Sequence, residues 1–121
     1  MSLCVLAVDD SRTMRDMLNY TMKQEGFTPH LAEDGLDGLE KLKELNPDVI
    51  ITDINMPNLD GFGFIEAVRA QSRWRNVPIL VLTTESAAEL KKRARDAGAT
   101  GWIVKPFDAE KLVRALRMVA G

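Results

Sequence analysis

Five residues of this chain have types suited to handling phosphate: Asp9, Asp10, Asp53, Thr83 and Lys105. Two carboxylates about 4 Å apart repel by on the order of 4 kcal/mol at an effective dielectric near 20, so acids brought together need a counter-charge. A divalent cation supplies it. A donor set made only of oxygen favours Mg²⁺, and no His or Cys is placed for zinc. An ammonium and a hydroxyl at the same level add ligands for phosphoryl oxygens. Phosphoryl transfer relies on positioned charge more than on acid-base machinery, so a cation, a lysine and a hydroxyl donor suffice. A carboxylate can itself be the nucleophile. Asp53, the lone acid of its cluster, is the candidate.

These residues follow apolar runs. LCVLAV leads into Asp9-Asp10, VIIT into Asp53, ILVL into Thr83 and WIV into Lys105-Pro106. Amphipathic segments separate the runs. The first carries Met14, Met17, Leu18 and Met22 at helical spacing and stops at Gly26. A weaker strand over 27–32 precedes a second helix with Leu36, Leu39, Leu42 and Leu45 inward, closed by Asn46-Pro47. The third presents Ile65 and Val68, and the fifth Leu112, Leu116 and Val119. The fourth, about Ala87 to Ala97, offers Leu90 and two alanines, so it is expected to be the least firmly held. Strands and helices thus alternate through five pairs. Right-handed crossovers then give an α/β, doubly wound, five-stranded parallel sheet of order 2-1-3-4-5 with five helices. Ligands of such sheets bind beyond the carboxyl ends of the strands, where the polar clusters fall.

At 121 residues the chain accommodates one core. No apolar run approaches the ~20 residues that span a bilayer, so no membrane insertion is expected. Cys4 is the sole cysteine, is expected to be a small buried hydrophobe, and fits a cytoplasmic location. His30 reads as a surface or strand-edge residue, and Trp74 as a cover for its own loop. The net charge of −2 gives no reason to expect nucleic acid, although it is uneven. Residues 1–60 hold 12 acids and 5 bases, whereas residues 87–121 hold 4 acids and 8 bases.

Asp9-Asp10, Asp53-Ile54-Asn55-Met56-Pro57, Asp60-Gly61, Thr83-Thr84-Glu85 and Gly101-Trp102-Ile103-Val104-Lys105-Pro106-Phe107 resemble the signature of the response-regulator receiver domain. The resemblance extends over residues 1–121 as one domain with no effector and is similar to single-domain chemotaxis regulators of the CheY type. It implies Asp53 as the phosphoacceptor for a kinase phosphohistidine, with Lys105 and Thr83 on the phosphoryl group. It implies Mg²⁺ held by the Asp10 and Asp53 carboxylates and the Asn55 backbone carbonyl, with Asp9 acting mainly through water. Thr83 and Trp102 would form the switch, driving a surface made by the fourth helix, last strand and fifth helix. A cis Lys105-Pro106 peptide is also implied. The partners would be a histidine kinase of the CheA type, a flagellar motor switch protein or another output target, and a phosphatase, acting on a monomer. On this reading the chain is not an enzyme, though it assists its own phosphorylation and dephosphorylation. Asn55 and Glu85 would flank the path of the hydrolytic water. A phosphate sink or another phosphorelay is the alternative. An aspartyl-phosphate phosphatase fits less well, because Asn55 stands where a general acid would be needed. A flavodoxin-like FMN site fails because Asp9-Asp10 would repel the phosphate.

Overall fold

Alternate residues of a strand face opposite sides of a sheet, and the computed structural model, described over residues 2–120, sorts the apolar runs this way. The elements are β1 (Cys4–Val8), α1 (Arg12–Gln24), β2 (Thr28–Ala32), α2 (Gly35–Leu42), β3 (Val49–Thr52) and α3 (Gly61–Arg69). After a short 3-10 turn (Ser72–Trp74) come β4 (Ile79–Thr83), α4 (Ala88–Ala97), β5 (Gly101–Val104) and α5 (Ala109–Ala120). The strands form one sheet of order β2-β1-β3-β4-β5, with every neighbouring pair parallel. The fold is therefore the one expected. Leu6, Val8, Ile50, Ile79 and Val81 face a core completed by Leu42, Phe64, Ile65, Val68 and Trp74. Val5, Ala7, Val49, Ile51, Leu80 and Leu82 face the other, built with Leu18, Met22, Leu112 and Leu116.

Polar side chains start the first three helices. Ser11, Asp34 and Asp60 cap α1, α2 and α3 by accepting from the backbone N–H groups of Met14, Asp37 and Gly63. α1 closes at Gly26 (φ 84°), where Phe27 N–H donates to the Met22 carbonyl and Gly26 N–H to Lys23. α4 differs at both ends. Ala87 gives it no side-chain cap, and Ala94 is its one fully buried residue. Its C-terminus is tied down instead: the Arg69 guanidinium donates to the Gly98 carbonyl at 2.8 and 3.0 Å and to the Trp74 carbonyl at 2.9 Å.

Four side chains depart from expectation. Met17 is 47% exposed and Leu36 is 52% exposed. Met17 lies about 100° round the helix from Leu18, outside the arc of Met14, Leu18 and Met22. Leu39, Leu42 and Leu45 do pack against the core, and the place expected for Leu36 is taken by Gly35 and Gly38, where Leu59 and Phe64 press against the glycines. Cys4 is half-buried rather than buried, because it starts the strand; burial and the nearby Asp48 push its thiol up. Trp74 does more than cover its loop, being 6% exposed and part of the core. α2 also ends at Leu42, short of Asn46-Pro47. His30 sits half-buried on the edge strand β2, as expected.

Candidate functional site

Asp9, Asp10 and Asp53 converge at the carboxyl ends of β1 and β3, each presenting an oxygen within 4.8 Å of the other two. Adjacent parallel strands enforce this, since Val8 pairs with Thr52 and the next residue of each is an aspartate. Asp9 is 1% exposed and Asp53 8%, whereas Asp10 is open to solvent. Lys105 arrives from the end of β5, and its Nζ donates to Asp9 Oδ2 at 2.7 Å and Asp53 Oδ2 at 2.8 Å. The second oxygens are also held. Asp9 Oδ1 accepts from Ser11 N–H at 2.9 Å, and Asp53 Oδ1 from Ile54 N–H at 2.6 Å. The Lys105-Pro106 peptide is cis.

Burial pushes Asp9 above the usual carboxylate range, against the lowering pull of Lys105 and of the Ser11 N–H. Burial disfavours the Lys105 ammonium, yet its bonds to Asp53 and Asp9 outweigh that and hold it above the ordinary lysine range. Three carboxylates against one ammonium leave two formal negative charges in a partly dry crevice. That surplus, on oxygen donors alone, fits a divalent hard cation such as Mg²⁺.

Thr83 and Trp102 stand beside the acids rather than among them. Thr83 is fully buried at the end of β4, and its Oγ1 accepts from Glu85 N–H at 3.4 Å. The half-buried Trp102 donates its indole N–H to the Glu85 carbonyl at 3.0 Å. The Asn55 side chain reaches Glu85 Oε1 at 3.4 Å, so these two residues meet at the mouth of the crevice. Glu85 thereby touches Thr83, Trp102 and Asn55.

Several supports escaped the reading of the sequence. Arg15 donates to the Asp9 carbonyl at 2.8 Å. Gly61 packs against the Asp53-Ile54 backbone and donates to the Ile54 carbonyl at 2.8 Å. Asn58, at φ 67°, donates to Asp34 Oδ2 at 2.7 Å and ties the β3–α3 loop to the α2 cap. Asn in a Pro-Asn-Leu-Asp-Gly loop is a signal for such a left-handed turn.

Comparison with known proteins agrees with this geometry. The family model described as "Response regulator receiver domain" matches residues 5–117. Chemotaxis protein CheY1 of Helicobacter pylori is 40% identical over 120 residues, covering 97% of this chain and 96% of the relative. The solved structure of chemotaxis protein CheY4 of Vibrio cholerae superposes with a TM-score of 0.94 at 45% identity, covering 98% of this chain and 99% of that one. A receiver domain of a Pseudomonas aeruginosa sensor histidine kinase, solved with a magnesium ion coordinated in its active-site cleft, gives 0.92 at 26% identity. That likeness covers 100% of this chain and 99% of the other. The chain belongs to the response regulator receiver domain family and is a phosphoryl acceptor of two-component signalling.

Proposed function

We propose that Asp53 is the residue that takes the phosphoryl group, in a Mg²⁺-dependent transfer from the phosphohistidine of a CheA-type kinase. The observation that carries this is the arrangement around Asp53: nearly buried, one oxygen on Ile54 N–H, the other on Lys105, with Asp9 and Asp10 alongside. In the transfer an Asp53 oxygen forms a bond to phosphorus while the P–N bond breaks, and its electron pair returns to the imidazole. Lys105, already aimed between Asp9 and Asp53, is placed to follow the negative charge onto the transferred phosphoryl oxygens. Asp10, Asp53 and the Asn55 backbone carbonyl would hold the cation, with Asp9 acting through water. When bound, Mg²⁺ neutralises carboxylate and phosphoryl charge. Asn55 and Glu85, meeting over the crevice, flank the approach of water to the acyl phosphate, so the protein assists its own dephosphorylation.

The output follows from the same geometry. Drawing the Thr83 hydroxyl toward the phosphoryl group removes the acceptor of Glu85 N–H, and the Glu85 carbonyl holds the Trp102 indole. The β4–α4 loop therefore moves with Trp102. α4 yields at its uncapped start while Arg69 keeps its end fixed. Between α4 and β5 lies a groove of about 200 Å³ lined by Lys91, Arg95 and Trp102 among others. It suits an acidic or amphipathic segment of an output protein, and likeness to chemotaxis proteins supports a flagellar motor switch protein in that role. A larger groove of about 450 Å³ between α1 and α5, lined by Tyr20, Val113 and Arg117 among others, lies away from the acids.

Incubation with acetyl phosphate and Mg²⁺ should add one phosphoryl group by intact mass, and Asp53→Asn should abolish the gain. Equal labelling of that variant would refute the assignment.

A further inference from the structure

We propose that Arg15 is a positioning residue for the cation site, fixing the Asp9-Asp10 peptide and, through it, the direction of the Asp10 carboxylate. This rests on the reading of Asp9, Asp10 and Asp53 as cation ligands. Asp9 is tethered at every other polar group: its N–H donates to the Ala32 carbonyl at 3.0 Å, and its carboxylate receives Ser11 N–H and Lys105. Its carbonyl lies past the end of β1 and receives Arg15 Nη1 at 2.8 Å. That carbonyl belongs to the peptide plane shared with Asp10. Asp10 is solvent-exposed, unlike Asp9, so the orientation of this plane is the restraint that carries over to it. Arg15 is half-buried and anchored in the first turn of α1, where its own N–H donates to the Ser11 carbonyl at 2.9 Å. The guanidinium thus joins the start of α1 to the strand end that α1 follows.

A cation beside a cation site has two opposed effects, and they separate by sign. As a bare positive charge, Arg15 would weaken Mg²⁺ binding, so its removal would tighten it. As a positioning residue it strengthens binding, so its removal weakens it. Outer partners of metal ligands change affinity by about 10–100-fold, and one acting through a peptide plane belongs at the low end, about tenfold.

The test is an amide-shift titration with MgCl₂ at fixed ionic strength on the wild-type chain, Arg15→Gln and Arg15→Lys, with thermal midpoints recorded alongside. Arg15→Lys keeps the charge on a shorter reach. The expected result is a Kd about tenfold higher for Arg15→Gln and a smaller increase for Arg15→Lys, with both variants folded. Tighter or unchanged binding by Arg15→Gln would overturn the proposal, as would normal binding by Arg15→Lys beside tighter binding by Arg15→Gln. If the wild-type chain itself shows no saturable shifts at Asp9, Asp10 and Asp53, the reading of the acids as cation ligands fails, and the role of Arg15 with it.

Discussion

Replacing Gly61 with alanine should damage the fold and the site together, because the space for its missing side chain is occupied by backbone. An added Cβ would fall on the Asp53 carbonyl oxygen, 2.7 Å from Ile54 Cα and 3.0 Å from the Asp53 carbonyl carbon. No rotamer change relieves this contact. The segment 53–54 must move, although the Gly61 N–H bond to Ile54 holds it close. Overpacking costs about 1–3 kcal/mol, and a rigid neighbour puts the loss near 3 kcal/mol. Gly101→Ala is the control. Its Cβ would meet only Leu80 Cδ2, at 2.8 Å, the movable end of a side chain, and alanine suits a strand better than glycine by about 0.5–1 kcal/mol. The two effects nearly cancel. In urea, at a slope of about 1.5–2 kcal/mol per M, Gly61→Ala should lower the midpoint by roughly 1.5–2 M while Gly101→Ala leaves it nearly unmoved. Displacing the Asp53 carboxylate should also slow labelling by acetyl phosphate by on the order of tenfold or more. Midpoints for the two variants within about 0.5 M of each other would refute the packing argument.

Asp34 caps α2 and holds Asn58, and the Asp37 N–H and the Asn58 amide keep its carboxyl below the usual range. A carboxyl depressed in the folded state stabilises above its unfolded pKa of about 3.9, and that contribution is lost as pH falls through the lower folded value. Asp34→Ala should therefore cost about 1–2 kcal/mol at pH 7, a difference that narrows below about pH 4 in urea titrations, whereas Asp34→Asn should keep most of the cap. Equal losses at both pH values would contradict the linkage. For the switch, Mg²⁺ with beryllofluoride should change Trp102 fluorescence in a Trp74→Phe background, and Thr83→Ala should blunt the change. Amide shifts confined to α1 and α2 would show that the signal leaves by another face.

The strand ends were legible in the sequence because a parallel sheet turns position along the chain into position in space. An acid one residue past an apolar run must lie beside the acid that ends the neighbouring run. Asp9 and Asp53 meet for that reason, and the long Lys105 side chain reaches both from β5, two strands away from β3. The weak hold on α4 was legible from its single large apolar residue, and Ala94 is indeed its one fully buried side chain. On α2, Leu39, Leu42 and Leu45 were legible but the exposure of Leu36 was not, because counting leucines overlooks glycines that are buried for want of a side chain; Gly35 and Gly38 admit Leu59 and Phe64. The clamps by Arg15 and Arg69 were hidden too. A cation bound to a backbone carbonyl leaves no complementary residue type in the sequence, and its partner depends on where a strand or helix ends in space.

The central claim is that this crevice directs a phosphoryl group to Asp53. The direct measurement is to treat the protein with acetyl phosphate and Mg²⁺, reduce it with borohydride, which converts an aspartyl phosphate to homoserine, and sequence the peptides by tandem mass spectrometry. Homoserine should be found at position 53, and only when Mg²⁺ was present during labelling. Homoserine at position 9 or 10 instead, or equal conversion at position 53 without Mg²⁺, would contradict it.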